Sequence, residues 1–440
     1  MLKRPFKILL GLLVLAATSA AQSPTIEFTE FTLDNGLHVI LHEDNTTPNV
    51  VVNIMYHVGA KNENPERTGF AHFFEHLMFE GSKHIDRGEF DRIVESSGGA
   101  LNAFTSFDVT NYYVFLPSNQ LELGLWLESE RLLHPKIDSI GIATQKSVVT
   151  EEMKQSRDNQ PYGRLIIETV SRAFTEHPYQ SDVLGQDAHI RAATDEDIKA
   201  FHDMFYVPDN AVLVIAGDID TEETRGLVEK YFGDIPSGRY EIYRPDVVEP
   251  VRRHEVRDTI FDNVQLPMII QAYHIPAQGT EDFYALEMLG ALLSQGQSSR
   301  LHRKLVVEEQ TAMVVQAIPL GLEDPGLNII LSLPNMGIDP KEVEIGIDAE
   351  LANVRNNLIS ETELQKLKNQ FESRLVNSNT TIASRATNLA NYHTLFGDAG
   401  RINTELERYH AVSREDIRRV AREYLREDNR VVLYFMPRAN

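Results

Sequence analysis

The chain carries one long internal repeat, and this limits its architecture more than any other feature. Residues 194–217 and 413–436 each open on a hydroxyl residue, Thr194 or Ser413, and run through the triplet Glu-Asp-Ile into an amphipathic helix. Each then reaches Asp-Asn and ends in an apolar run rich in Val, Leu and Ile or Phe. The hydroxyl is placed to cap a helix, and the apolar run has the composition of a strand. Two copies so far apart indicate a duplicated domain, because arrays of short units repeat every 20–50 residues or so. Pro236, Pro245 and Pro250 stand among polar residues between the copies, as in a linker. The expected organisation is an N-terminal domain over 22–234, a linker over 235–252 and a homologous C-terminal domain over 253–440. A chain of 440 residues with 42% hydrophobic content is long enough for two cores. Strands mixed with long helices, such as Glu361–Val376, predict an α+β fold: two α/β sandwiches with mainly antiparallel sheets.

The first 21 residues read differently. Lys3, Arg4 and Lys7 precede an apolar run from Ile8 to Ala17, and small residues follow up to Ala21. This is the pattern of a signal peptide cleaved after Ala20 or Ala21. The run is too short for a comfortable membrane span, and no later segment qualifies. There is no cysteine, which excludes disulfides and a cysteine-linked lipid anchor. Export without cysteines suits a bacterial periplasmic or secreted protein. The net charge is −23, and losing three leader cations would make it about −26. So acidic a surface disfavours nucleic acid. It keeps a chain soluble, and would favour cationic peptides wherever the acids line a cavity.

Residues 72–76 read His-Phe-Phe-Glu-His. The segment around them reads as a helix, with Thr68 as a possible N-cap, Gly81 as a stop signal and apolar surface from Phe70, Phe73, Phe74, Leu77 and Met78. Histidines four apart share one helix face, about one turn apart, so His72 and His76 can grip one ion. Glu75 then lies about 80° to one side of them. The pattern is a near mirror image in projection of the H-E-x-x-H zinc motif, and likewise sets a carboxylate beside the ion as a base for water. It predicts metal-assisted hydrolysis, most simply of peptide bonds. Zinc hydrolases usually take three protein ligands. A helix containing Gln145–Lys154 offers Glu151 and Glu152 as the third. His84 and His134 are assigned structural or surface roles, since three ligands already suffice.

With these residues in hand, the sequence resembles the pitrilysin family of zinc peptidases, in which H-x-x-E-H is followed by a glutamate ligand on a later helix. The resemblance implies Zn2+ as cofactor, Glu152 as the third ligand, Glu151 as its solvent-facing neighbour and Glu75 as the catalytic base. It often includes another acid seven residues before the ligand, where this chain has Gln145. Gly98–Tyr113 is similar to a further family signature and reads as a strand from its β-branched and aromatic content. In the family that strand lies at a sheet edge, and substrate pairs with it through main-chain groups, which tolerates many sequences. By that match Asn102 and Ala103 are substrate-binding positions.

One departure narrows the expectation. The segment of the second half equivalent to the motif helix, from Ala285 to Leu301, has no histidine or metal motif. Active relatives carry an arginine and a tyrosine seven residues apart shortly after Ser-Ser-Arg-Leu. Here Ser298–Leu301 is present, but the two positions hold Val306 and Met313. Arg385 and Tyr392 share the spacing but lie in a later helix, and are read as coincidence. Some members split the work between two homologous chains, one with zinc and one with the Arg/Tyr pair. The resemblance therefore implies a zinc-bearing subunit whose partner lacks H-x-x-E-H, the two enclosing a chamber for peptide substrate. The alternative is a non-catalytic scaffold of the same fold.

Overall fold

The computed structural model describes residues 25–438, so the proposed leader, residues 1–21, lies outside the described residues. Among those residues the strands form two sheets with one plan. In the first half β1 (Thr29–Thr32), β2 (His38–Glu43), β3 (Asn49–Tyr56), β4 (Ala100–Thr105), β5 (Thr110–Pro117) and β6 (Ala211–Gly217) lie in the order β1-β2-β6-β3-β5-β4. In the second half β7 (Val256–Asp262), β8 (Met268–His274), β9 (Ala312–Leu320), β10 (Leu327–Pro334) and β11 (Arg430–Pro437) lie in the order β7-β11-β8-β10-β9. Without the extra hairpin strand β1, the orders are the same. In each sheet one pair is parallel, β2 with β6 and β7 with β11, and the remaining pairs are antiparallel.

The repeat read from the sequence lies where this duplication predicts. Its helices are Asp195–Phe205 and Arg414–Tyr424, each capped by its hydroxyl residue in a reciprocal box with Asp197 or Asp416. The Asp-Asn step recurs in role as well as in sequence. Asn210 donates to the carbonyls of Phe205 and His57, and Asn429 to those of Tyr424 and His274. Each asparagine ties its helix end to the strand beside it.

Each sheet is covered on one face by helices of its own half and on the other by a helix of the opposite half. The helix Ile382–Phe396 lays Ile382, Ala386, Leu389 and Ala390 on Ile40, Val51, Met55, Val212 and Val214 of the first sheet. Reciprocally, Val170 and Ala173 of the helix Leu165–Ala173, with Phe174 and Tyr179 after it, pack on Ile270, Ala272, Val431 and Leu433 of the second sheet. The two helices occupy equivalent places in the repeat. Residues 235–255 carry neither helix nor strand. They are nevertheless fixed: the Glu249 carboxylate accepts from the amides of Thr175, Glu176 and His177, and Arg252 donates to the carbonyls of Arg172 and Ala173.

Arg385 and Tyr392 belong to this exchanged helix. Arg385 pairs with Asp44 of the first half, and Tyr392 packs beside the shared apolar layer. The stretch Gly98–Tyr113 is a hairpin rather than one strand. Its middle turns at Ser106–Val109, where Ser106 Oγ accepts from the amides of Asp108 and Val109. The hydroxyl-to-amide turn reverses the chain inside a run whose composition alone reads as extended.

Candidate metal centre

The helix Phe70–Leu77 carries the H-x-x-E-H run, and its start differs from the expectation. Its N-cap is Gly69, at φ 88°, and not Thr68. Thr68 turns away to bond His189 through its hydroxyl at 2.8 Å. The buried Glu63 carboxylate instead accepts from the amides of Gly69 and Ala71 at 2.7 and 2.8 Å. A carboxyl group at a helix N-terminus satisfies free N–H groups, although burial pushes Glu63 up to about 8 against those backbone bonds. Gly69 also permits a close backbone approach, since a Cβ on it would lie 2.5 Å from the Leu184 carbonyl oxygen. The far end differs too. The helix stops at Leu77, before Gly81, and the guanidinium of Arg131 reaches the Met78 carbonyl.

The structure brings together the three proposed ligands. His72 Nε2 lies 3.3 Å from His76 Nε2, 3.5 Å from Glu152 Oε1, and the distance from His76 Nε2 to Glu152 Oε2 is 3.2 Å. Bonds of 2.0–2.1 Å in a tetrahedron give ligand–ligand edges of about 3.3 Å, so this donor set fits zinc. Glu152 comes from the helix Ser139–Met153, whose first turn is capped by Asp138. Its neighbour Glu151 is exposed and faces Lys154 at 3.4 Å. Side-chain exposure rises from 9% at His72 to 25% at His76 and 41% at Glu152, so the cluster opens to solvent on the Glu152 side.

The electrostatics suit a metal centre. Burial, followed by the nearby His76, pushes the His72 imidazole below its ordinary value and favours the neutral form that can coordinate. The hydrogen bond with His76 lowers the Glu152 carboxyl and keeps it ionised. Burial raises Glu75, against a hydrogen bond from Thr105 Oγ at 2.6 Å. A carboxylate of raised basicity beside a metal is placed for general-base work.

Thr105 lies on β4, an outer strand of the first sheet, whose residues alternate between exposed and part-buried. Ala103 and Thr105 face the motif helix side, whereas Asn102 and Phe104 face outward. Asn102 Oδ1 accepts from the amide of Ala103 at 2.9 Å. The sequence reading included Thr105 within the signature stretch but gave it no role; only the fold sets it against Glu75. Glu63 was also missed, because it caps from six residues before Gly69, outside any local capping pattern. Gln145 donates to Glu80 at 2.5 Å, and Glu80 pairs with Arg87. Val306 is partly buried against the second core, while Met313 projects from β9 with half its surface exposed. Among the described residues, no His/Asp/Glu grouping that could hold a metal lies wholly in the second half.

A duplicated α+β chain with an H-x-x-E-H cluster of this kind in its first half defines a class of two-domain metallopeptidase folds. Comparison with known proteins agrees. Residues 38–187 match the model of insulinase (peptidase family M16), and residues 192–371 match that of the peptidase M16 inactive domain. The chain is 30% identical over 430 residues to the zinc protease PqqE of Helicobacter pylori, covering 97% of this chain and 96% of the relative. It is 24% identical over 406 residues to an uncharacterized zinc protease, YmxG, of Bacillus subtilis, covering 92% and 97%. The crystal structure of a protease from Helicobacter pylori superposes with a TM-score of 0.90 at 28% identity, covering 94% of this chain and all of that one. The periplasmic protease PqqL of Escherichia coli shares the fold at a TM-score of 0.78 and 20% identity, over 95% of this chain and 48% of that one. The chain belongs to the M16 family of zinc proteases.

Proposed function

We propose that the chain is a zinc metalloendopeptidase acting on peptides or unfolded segments, and that it is the zinc-bearing subunit of a heterodimer. The observation that carries the first part is the tetrahedral-edge spacing of His72, His76 and Glu152 beside the basic carboxylate of Glu75. His72, His76 and Glu152 would hold the ion. Zinc bound there supplies Lewis acidity to water and to the scissile carbonyl. Glu75 accepts the proton released as water attacks, then returns it to the departing amine. Thr105 holds the Glu75 carboxylate by its Oε2, which fixes the side chain against β4. The outer strand β4 offers free main-chain groups to an extended peptide, with Asn102 and Ala103 at the scissile region.

The second part rests on Val306 and Met313, apolar side chains at the positions that the family resemblance reserves for arginine and tyrosine. A homologous chain lacking H-x-x-E-H would supply that pair across a shared chamber. The leader-like residues 1–21 support export to the periplasm or beyond. A scaffold role stays the second reading, favoured by the match of residues 192–371 to a domain described as inactive.

One preparation tests both parts. The purified chain is assayed on a peptide library alone and with a co-expressed homologous partner, with and without chelator. Chelator-sensitive cleavage that needs the partner is the expected result. Full activity of the chain alone would remove the heterodimer, and no cleavage under any condition would favour the scaffold.

A further inference from the structure

Two other groupings of histidine and glutamate occur among the described residues. In one, His38 and His393 stack face to face, centroids 3.6 Å apart and planes 10° from parallel, beside Glu30. Stacked rings point their nitrogens side by side, which suits a packing contact better than a shared ion. The other has a different shape. His84, Glu130 and His134 each bring one ligand atom within 4.8 Å of the others, and the imidazoles meet edge to face at 89°. The motif histidines meet in the same way, at 82°.

The cradle is built by backbone. Glu130 and His134 are one turn apart at the end of the helix Leu121–Leu133. Ser82 and Pro135 form a β-bridge, with the Lys83 amide on the His134 carbonyl at 3.0 Å and the Lys136 amide on the Gly81 carbonyl at 2.9 Å. That bridge sets His84 over Glu130. His84 Nδ1 is 2.9 Å from Glu130 Oε1, and Ser82 Oγ donates to Glu130 Oε2 at 2.6 Å. His134 Nδ1 is 3.5 Å from the same Oε1 and, though buried, makes no hydrogen bond. A buried ring nitrogen without a partner is costly. A cation among the three atoms would satisfy it.

We infer that His84, Glu130 and His134 form a second metal site, for a divalent transition cation such as Zn2+, distinct from the motif centre. Two imidazoles and one carboxylate select borderline cations over Mg2+ and Ca2+, which prefer oxygen ligands throughout. The site is weaker than the motif site, because its ligand His84 lies outside any helix and is more exposed than any of the three motif ligands. The Nδ1 proton of His84 leaves to solvent, and the exposed Nε2 takes up another, so the ring stays neutral. Water fills the open positions, since the His84 side chain is 52% exposed. A bound ion would tie the turn after the motif helix to the helix Leu121–Leu133.

The test uses the full chain, stripped by chelator and titrated with Zn2+ by equilibrium dialysis with metal analysis. Two ions of unequal affinity are expected. His84→Ala should weaken the looser site by more than about tenfold, the lower end of what outer-shell changes alone cost. The tighter ion should remain. Glu152→Gln should do the reverse, so failure of the motif site and failure of this one are separable. His84 is more than half exposed, and its replacement leaves the core intact. As a second measure, Zn2+ should raise the melting temperature of the Glu152→Gln chain, but not of the chain that also carries His84→Ala. A single ion at saturation, or a second ion unaffected by His84→Ala, would overturn the assignment.

Discussion

At the scale of residues, the proposed chemistry depends on one short contact between side chains of two elements. Glu75 comes from the motif helix and Thr105 from β4, and they meet at 2.6 Å. Replacing Glu75 with Gln keeps the side-chain volume and removes the base, so turnover should fall by about 10²–10⁴. Zinc content should stay at the wild-type level, because Glu75 lies outside the three-atom cluster. Unchanged kcat would remove Glu75 from its role. Thr105→Val keeps the shape of the strand and frees the carboxylate to swing. We expect kcat to drop about tenfold with metal content unchanged, in line with the cost of a hydrogen bond to a charged group. A change confined to KM would instead indicate that Thr105 serves substrate binding. The spacing of His72, Glu75 and His76 made this centre legible in the sequence, since helix periodicity alone puts both histidines on one face. Thr105 was not legible as a partner, because nothing local shows which strand crosses beside the helix.

Among the elements, the motif helix is short and is held at both ends from outside. Glu63 binds its first amides, and Arg131 binds the Met78 carbonyl beyond its end. Arg131 is almost wholly buried, pairs with the equally buried Glu128 at 3.0 Å, and lies against the rings of Phe79, Phe90 and Tyr112. Removing one member of such a pair leaves an uncompensated charge in the core. Arg131→Leu should therefore destabilise the protein by about 3–5 kcal/mol. The double change Glu128→Leu with Arg131→Leu should cost clearly less than the sum of the single changes, as read by denaturant unfolding. Additive effects would show that the two side chains act independently. The sequence indicated that a helix lies here but misjudged its ends. Thr68 and Gly81 have suitable chemistry, yet the cap comes from Glu63 and the last turn is held by Arg131, both supplied by tertiary packing. The long repeat was the opposite case. Thr194 with Asp197 and Ser413 with Asp416 are local boxes, and the structure keeps both.

For the whole molecule, the halves are joined by charge as well as by exchanged helices. Buried Lys61 of the first half meets Asp108 at 3.2 Å, and Glu323 and Asp324 of the β9–β10 turn at 2.5 and 3.0 Å. His57 adds a contact to Glu323 at 2.9 Å. Burial opposes ionisation of Glu323, but the hydrogen bond and charge of His57, with Lys61, outweigh it and hold the carboxyl at about 2. A carboxyl lower in the folded than in the unfolded state stabilises above the unfolded value, near 4.3, and loses that contribution as pH falls toward 2. Wild type should thus exceed Glu323→Gln in stability by about 2–3 kcal/mol at neutral pH. The gap should close between about pH 4.5 and 2, and a gap that persists at pH 2 would exclude this tie as its source. The exchanged helices bear on a different property, the integrity of a cut chain. Each half holds part of the other's core, so the peptide bonds of 235–252 bear little of what keeps the molecule together. A single proteolytic nick there should give two bands on a denaturing gel but one undivided particle in a sizing column. Parting the fragments would mean stripping two oily faces at once.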